Sequence, residues 1–261
     1  MAAVSRRTAR RAGMPAASSI VSEKVFVPAR PGRVARAAAA GLRSTYRILR
    51  TNEVDPKDAA MPMAAVAAIG AAGPPGDNFA GTARKAAKLS VAAASEESFD
   101  DLQDLIDRLP PKKVMTQHKP QITTDAKSGR VAEEKRNVKV RAFLYAASRE
   151  DDRDYHLIIG RARNKTRHMY MTVEISGLPP KTSASFATLK GARDAFKSFF
   201  GADLPNESYD FYDPPIPVDV SGSLFFDMSH ASGQRPGPQS LRKDIPTIWE
   251  IHPVTEIIFE P

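Results

Sequence analysis

The stretch NVKVRAFLYAA, Asn137 to Ala147, decides the fold, because here the chain changes its hydrophobic period to two. Val138, Val140, Ala142 and Leu144 alternate with Lys139, Arg141, Phe143 and Tyr145, the pattern of a strand with one aliphatic face. The same period returns four times downstream. DYHLIIG, Asp154 to Gly160, follows a polar connection, and HMYMTVEISG, His168 to Gly177, sets Met169, Met171, Val173 and Ile175 against Tyr170, Thr172 and Glu174. IPVDVSGSLFFDM, Ile216 to Met228, and TIWEIHPVTEIIF, Thr247 to Phe259, complete the set. Between the third and fourth strands, Phe186, Leu189, Arg193, Phe196 and Phe200 recur at helical offsets, and Gly201 stands where a helix-ending glycine belongs.

Three strands, a helix and two strands are the element order of the OB-fold, a five-stranded barrel with its helix between strands three and four. The expected fold is therefore mainly β: an OB-fold-like barrel with one inserted helix over residues 130–261. An amphipathic helix and linker precede it at 95–129, and a long disordered arm occupies 1–94. In SEESFDDLQDLIDRLPP, Ser95 to Pro111, the residues Phe99, Leu102, Leu105, Ile106 and Leu109 form one stripe, with Ser95 as the expected cap and the two prolines as the stop. Residues 1–94 alternate patches of Ala, Arg, Pro and Gly and hold only Phe26, Tyr46 and Phe79 as aromatics, too few for a core of their own.

Charge is as uneven as hydrophobicity. Residues 1–60 hold 12 Lys and Arg against 4 Asp and Glu, while the remaining residues hold 26 of each. The net charge of +8 thus belongs to the N-terminal segment, and the barrel need not seek an anionic partner. The absence of cysteine excludes disulfides and thiolate metal sites. No apolar run reaches the ~18 residues of a membrane-spanning helix. The Arg-, Ala- and Ser-rich opening, residues 1–22, has no acid, which leaves export or organelle targeting open beside a cytoplasmic location.

The strands "DYHL", "FFD" and "WEIHPV" resemble those of a group of uncharacterised bacterial proteins with OB-type barrels, a resemblance that covers about half the chain and implies a fold without an activity. The acids also look similar to the staphylococcal-nuclease type of OB barrel, in which aspartates around strand two and acids at strand three hold calcium; Asp152, Asp154 and Glu174 fall in comparable places. This chain lacks clear counterparts of that family's two phosphate-gripping arginines and its later helices.

Three functions follow from these residues. The first is a binding module for a polyanion, with single-stranded nucleic acid foremost: Tyr155 and Tyr170 offer stacking rings, and Arg161, Arg163, Arg167, Arg235 and Arg242 offer charge. The second is a metal-dependent phosphodiesterase, with Asp152, Asp154, Glu174 and Asp227 holding Ca²⁺ or Mg²⁺ and with Asp154, His156 and His252 as catalytic groups. The third is an adaptor that docks a protein partner through the Phe99–Leu109 stripe, whose signature is exposure of that stripe. In the last strand, regular alternation puts Glu250 and His252 on one side and Trp249 and Ile251 on the other. Trp249 is then a plug for the barrel end, and Pro253, which has no N–H to donate, marks an edge or a bulge.

Overall fold

The computed structural model describes residues 13–28, 45–56 and 76–260. It is mainly β. The strands are β1 (Ile20–Phe26), β2 (Tyr46–Thr51), β3 (Glu96–Phe99), β4 (Asn137–Arg149), β5 (Tyr155–Gly160), β6 (Tyr170–Ile175), β7 (Asp210–Phe226) and β8 (Trp249–Phe259). The helices are α1 (Lys85–Lys88), α2 (Leu102–Asp107), α3 (Lys112–Thr116) and α4 (Phe186–Phe200). All eight strands belong to one mixed sheet in the order β1-β2-β7-β8-β6-β5-β4-β3, and β7 also pairs with β4. The pairings β4–β5, β5–β6, β6–β8, β8–β7 and β7–β4 run in a cycle, with β6–β8 parallel and the other four antiparallel.

The period-two segments all become strands, and their aliphatic faces meet. Val138, Val140, Leu144, Leu157, Ile159, Met171, Val173, Val218, Val220, Leu224, Trp249 and Ile251 share the main core. Trp249 meets Phe226 edge-on at 5.3 Å between ring centroids and donates its indole N–H to the Pro110 carbonyl at 2.8 Å. The α2 residues Leu102 and Leu105, with Met115 of α3, pack into this core and close its end. Helix α4 runs over the expected residues and ends at Gly201, whose φ of 58° suits glycine. Its Phe196, Phe199 and Phe200 pack into the same core.

Several expectations require correction. Residues 20–26 and 46–51 are strands, not a disordered arm, because the sparse aromatics of this region are spent on docking. Phe26 stacks on Phe200 at 5.3 Å, Tyr46 is buried, and β2 pairs with β7. Residues 76–94 of the expected arm are also described, with α1 among them, while residues 1–12, 29–44 and 57–75 lie outside the described residues. The helix expected from Ser95 begins later: residues 96–99 form β3 beside β4, and the cap is Asp101, whose carboxylate accepts from Gln103 N–H at 2.9 Å. Its apolar stripe is buried or partly buried against the core, not exposed. β7 starts six residues earlier than its alternation suggests. Pro214 and Pro215 sit where the β4–β7 register shifts and no ladder donor is needed. Pro253 likewise coincides with a register shift between β7 and β8, so it marks a bulge in an interior strand, not an edge.

Candidate metal centre

The side chains left over by the core point the other way. On β5, His156 and Ile158 alternate with the core residues Leu157 and Ile159; on β6, Thr172 and Glu174 alternate with Met171 and Val173. On β8, Glu250 and His252 oppose Trp249 and Ile251. Pairing then sets these outward residues side by side: His156 lies opposite Glu174, and Thr172 opposite Glu250. In an ordinary sheet this face would meet water. Here the residue 229–246 connection, residues 51–56 and residues 76–92 cover it, tied down by bonds such as Gly237 N–H to Asp55 at 2.6 Å and Ala80 N–H to the Asp152 carbonyl at 2.9 Å. His156, Glu174, Glu250, His252, Asp154 and Asp55 are each 0 % exposed, which makes this a polar layer sealed between sheet and covering loops.

Within the layer, three groups of metal-ligating side chains bring one donor atom each to within 4.8 Å of one another: Asp55, Glu150 and His156; Asp154, Glu174 and His252; and His156, Glu174 and Glu250. His156 is the pivot. Its Nδ1 lies 2.6 Å from Glu150 Oε1 and 3.1 Å from the Tyr209 hydroxyl, whereas Nε2 is buried with no hydrogen-bond partner among the described residues. His156 also belongs to the group with Glu174 and Glu250, and Nε2 is its ring nitrogen without a partner among the described residues. A carboxylate on one ring nitrogen, with the other nitrogen left without a protein partner, is the arrangement that orients a metal-binding histidine. Burial alone would lower the His156 pKa, but Glu150, helped by Glu174 and Asp55, raises it to about 9.

The second group is differently served. His252 Nδ1 lies 2.7 Å from Glu174 and Nε2 lies 3.4 Å from Asp154 Oδ2, while Asp154 Oδ1 accepts from Gly177 N–H at 2.6 Å. Lys88, on the last turn of α1, brings its ammonium to 3.0 Å from Asp152, 3.5 Å from Glu174 and 3.7 Å from Asp154. Burial, with the nearby Asp152 charge, pushes the Asp154 carboxyl well above its usual range, and burial lowers His252.

Of the residues expected to hold an ion or act on a substrate, Asp154, Glu174, His156 and His252 converge. Asp154 stands just before β5, His156 near its start and Glu174 near the end of β6, as expected of strand ends, whereas His252 sits within β8. Asp152 joins through Lys88 at 3.0 Å and by accepting from the Asp154 N–H at 3.2 Å. Asp227 stands apart: it caps the turn at 228–230 by accepting from Ser229 N–H and faces His230 at 3.6 Å. Asp55, Tyr209 and Lys88 were outside the expected set, and Glu150 and Glu250 were not among the assigned ligands. Glu250 was legible as the same-face neighbour of His252, but Lys88 and Asp55 lie in segments with no strand or helix period to place them.

The residues expected to bind a polyanion do not form a platform. Tyr155 is packed between Phe196 and the Arg193 guanidinium, at 4.7 and 4.5 Å, and Tyr170 meets Tyr145 edge-on at 4.9 Å; each ring is 1 % exposed. Arg161 is paired with Asp101, Arg163 with Asp213, and Arg242 donates to Gly237 O and Gln234. Arg235 and Arg167 are exposed, though Arg235 also donates to two carbonyls of the same connection. Comparison of the chain with protein-family models, curated proteins and solved structures finds no match.

Proposed function

We propose that the protein is a metal-binding module in which β4 to β8 close into an OB-type barrel and the barrel's covered outer face holds one divalent transition-metal ion. The ligands are His156 Nε2, Glu174 and Glu250. The observation that carries this reading is the buried Nε2 of His156, without a hydrogen-bond partner among the described residues while Glu150 engages the other nitrogen. A buried ring nitrogen without a protein partner, in a side chain grouped with two carboxylates, has two ways to be satisfied: a proton shared with them or a cation between them. The imidazole moves the preference from Ca²⁺ and Mg²⁺ toward Mn²⁺, Fe²⁺ or Zn²⁺, since oxygen-only donors suit the harder pair. Because the ligands come from three different strands and are sealed from solvent, the ion cross-links β5, β6 and β8. A phosphodiester has no path to it, which removes support from the nuclease reading. The polyanion reading retains exposed Arg167 and Arg235 but has no exposed stacking rings among the described residues.

The test is calorimetric titration of the full chain with Mn²⁺ and Zn²⁺ beside Ca²⁺ and Mg²⁺. Mn²⁺ or Zn²⁺ is expected to bind more tightly than the alkaline earths and, at 100-fold excess over Kd, to stabilise the fold by about 2.7 kcal/mol. Absence of both binding heat and stabilisation with every ion defeats the reading.

A further inference from the structure

We infer that Lys88 is a tethered cation standing in the second ion position of a two-ion centre, and that it limits the protein to one bound metal. This rests on the metal centre proposed above. Two groups, each of one imidazole and two carboxylates, share Glu174: His156 and Glu250 complete the first, Asp154 and His252 the second. A carboxylate with one oxygen available to each side is how paired ions about 3.5–4 Å apart are bridged. The second group has the donor chemistry of the first, and the buried Oδ2 of Asp154 finds no hydrogen-bond donor among the described residues. What distinguishes it is the Lys88 ammonium, which lies within 3.7 Å of both its carboxylates.

The position of Lys88 is built, not incidental. Arg84, at the start of α1, is itself buried and clamped to Glu134 at 2.6 and 2.7 Å, and the Lys88 N–H bonds back to the Arg84 carbonyl at 2.9 Å. The Ser176 hydroxyl at the end of β6 reaches the Lys88 carbonyl at 3.4 Å. A monovalent ammonium on a four-carbon stem neutralises the carboxylates while excluding a divalent ion by charge and by volume. Removing it leaves Asp154, Glu174 and His252 as ligands for a second ion of the same class, with Glu174 as the bridge.

The experiment is metal stoichiometry of the full chain with Mn²⁺, by native mass spectrometry and by electron paramagnetic resonance. The wild type is expected to take one ion with an isolated-Mn²⁺ spectrum. Lys88→Ala, and Lys88→Gln should the alanine variant fold poorly, are expected to take two and to show the spectrum of an exchange-coupled pair; Lys88→Arg is expected to remain at one. One ion in both neutral variants overturns the inference, and so does a coupled pair in the wild type, a reading that needs no variant. No ion in the wild type but one in Lys88→Ala keeps the role of Lys88 and removes the His156 centre. No ion in either overturns both.

Discussion

Replacing His156 by alanine is expected to weaken Mn²⁺ or Zn²⁺ binding by at least about 100-fold, more than loss of an outer partner costs, since outer partners alone account for about 10–100-fold. Glu150→Gln supplies that comparison: it keeps the shape of the side chain and its contact with Nδ1 but removes the charge that orients the ring, so a loss of about 10–100-fold is expected. Equal, small effects of the two changes would place the ion elsewhere. The pH dependence has two opposite signs. In the metal-free chain the folded pKa of His156, about 9, lies above its ordinary 6.5, so the stability it contributes is complete below pH 6.5 and is lost as pH rises through 9. Metal must displace the Nε2 proton, so its affinity rises over the same interval. Calorimetric titrations at pH 6, 7 and 8 check this: affinity that is flat or falls with pH contradicts ligation by His156.

Arg84→Ala is expected to destabilise the fold by about 3–5 kcal/mol in urea denaturation, the usual cost of stripping one partner from a buried ion pair. Arg84 is 1 % exposed and Glu134 0 %. The guanidinium grips both Glu134 oxygens, donates to the Phe226 carbonyl at 3.1 Å and the Gly129 carbonyl at 2.7 Å, and lies 4.7 Å over the Phe225 ring. Without it, Glu134 stays buried with the backbone donors of Val131 and Phe226, both at 2.9 Å, and the neighbouring Arg130 charge as its remaining support. Removing both charges together as Arg84→Met with Glu134→Leu should cost less than Arg84→Ala alone, because no charge is then stranded. A loss under about 1 kcal/mol for Arg84→Ala would show that water reaches Glu134 and that residues 76–92 do not seal the polar layer.

Much of the β arrangement was legible because period two is a local property: alternation alone names the core face of β4 to β8 and puts Glu250 beside His252. The same alternation groups Tyr155 with Leu157 and Ile159, so its burial was readable, and the suitability of an aromatic ring for stacking was the weaker signal. What alternation does not contain is which strands become neighbours. The parallel pairing of β6 with β8 is what brings Glu250 to Glu174, and no local pattern encodes it. Lys88, Asp55 and Arg84 were hidden for another reason. Their segments are poor in large apolar residues, the composition of a chain that stays unfolded alone, yet they are held by the buried Arg84–Glu134 pair, by Gly237 N–H to Asp55 and by Arg84 to the Phe226 carbonyl of β7. Such segments take their order from the surface they cover.

The most direct test of the central claim is anomalous diffraction at the metal edge from crystals of the full chain grown with Mn²⁺ or Zn²⁺. A single peak about 2.0–2.3 Å from His156 Nε2, within bonding reach of Glu174 and Glu250, is the predicted result. Density without a peak at that place, with His156 Nε2 hydrogen-bonded to one of the two carboxylates, would contradict it and leave the layer as a buried ion-pair network.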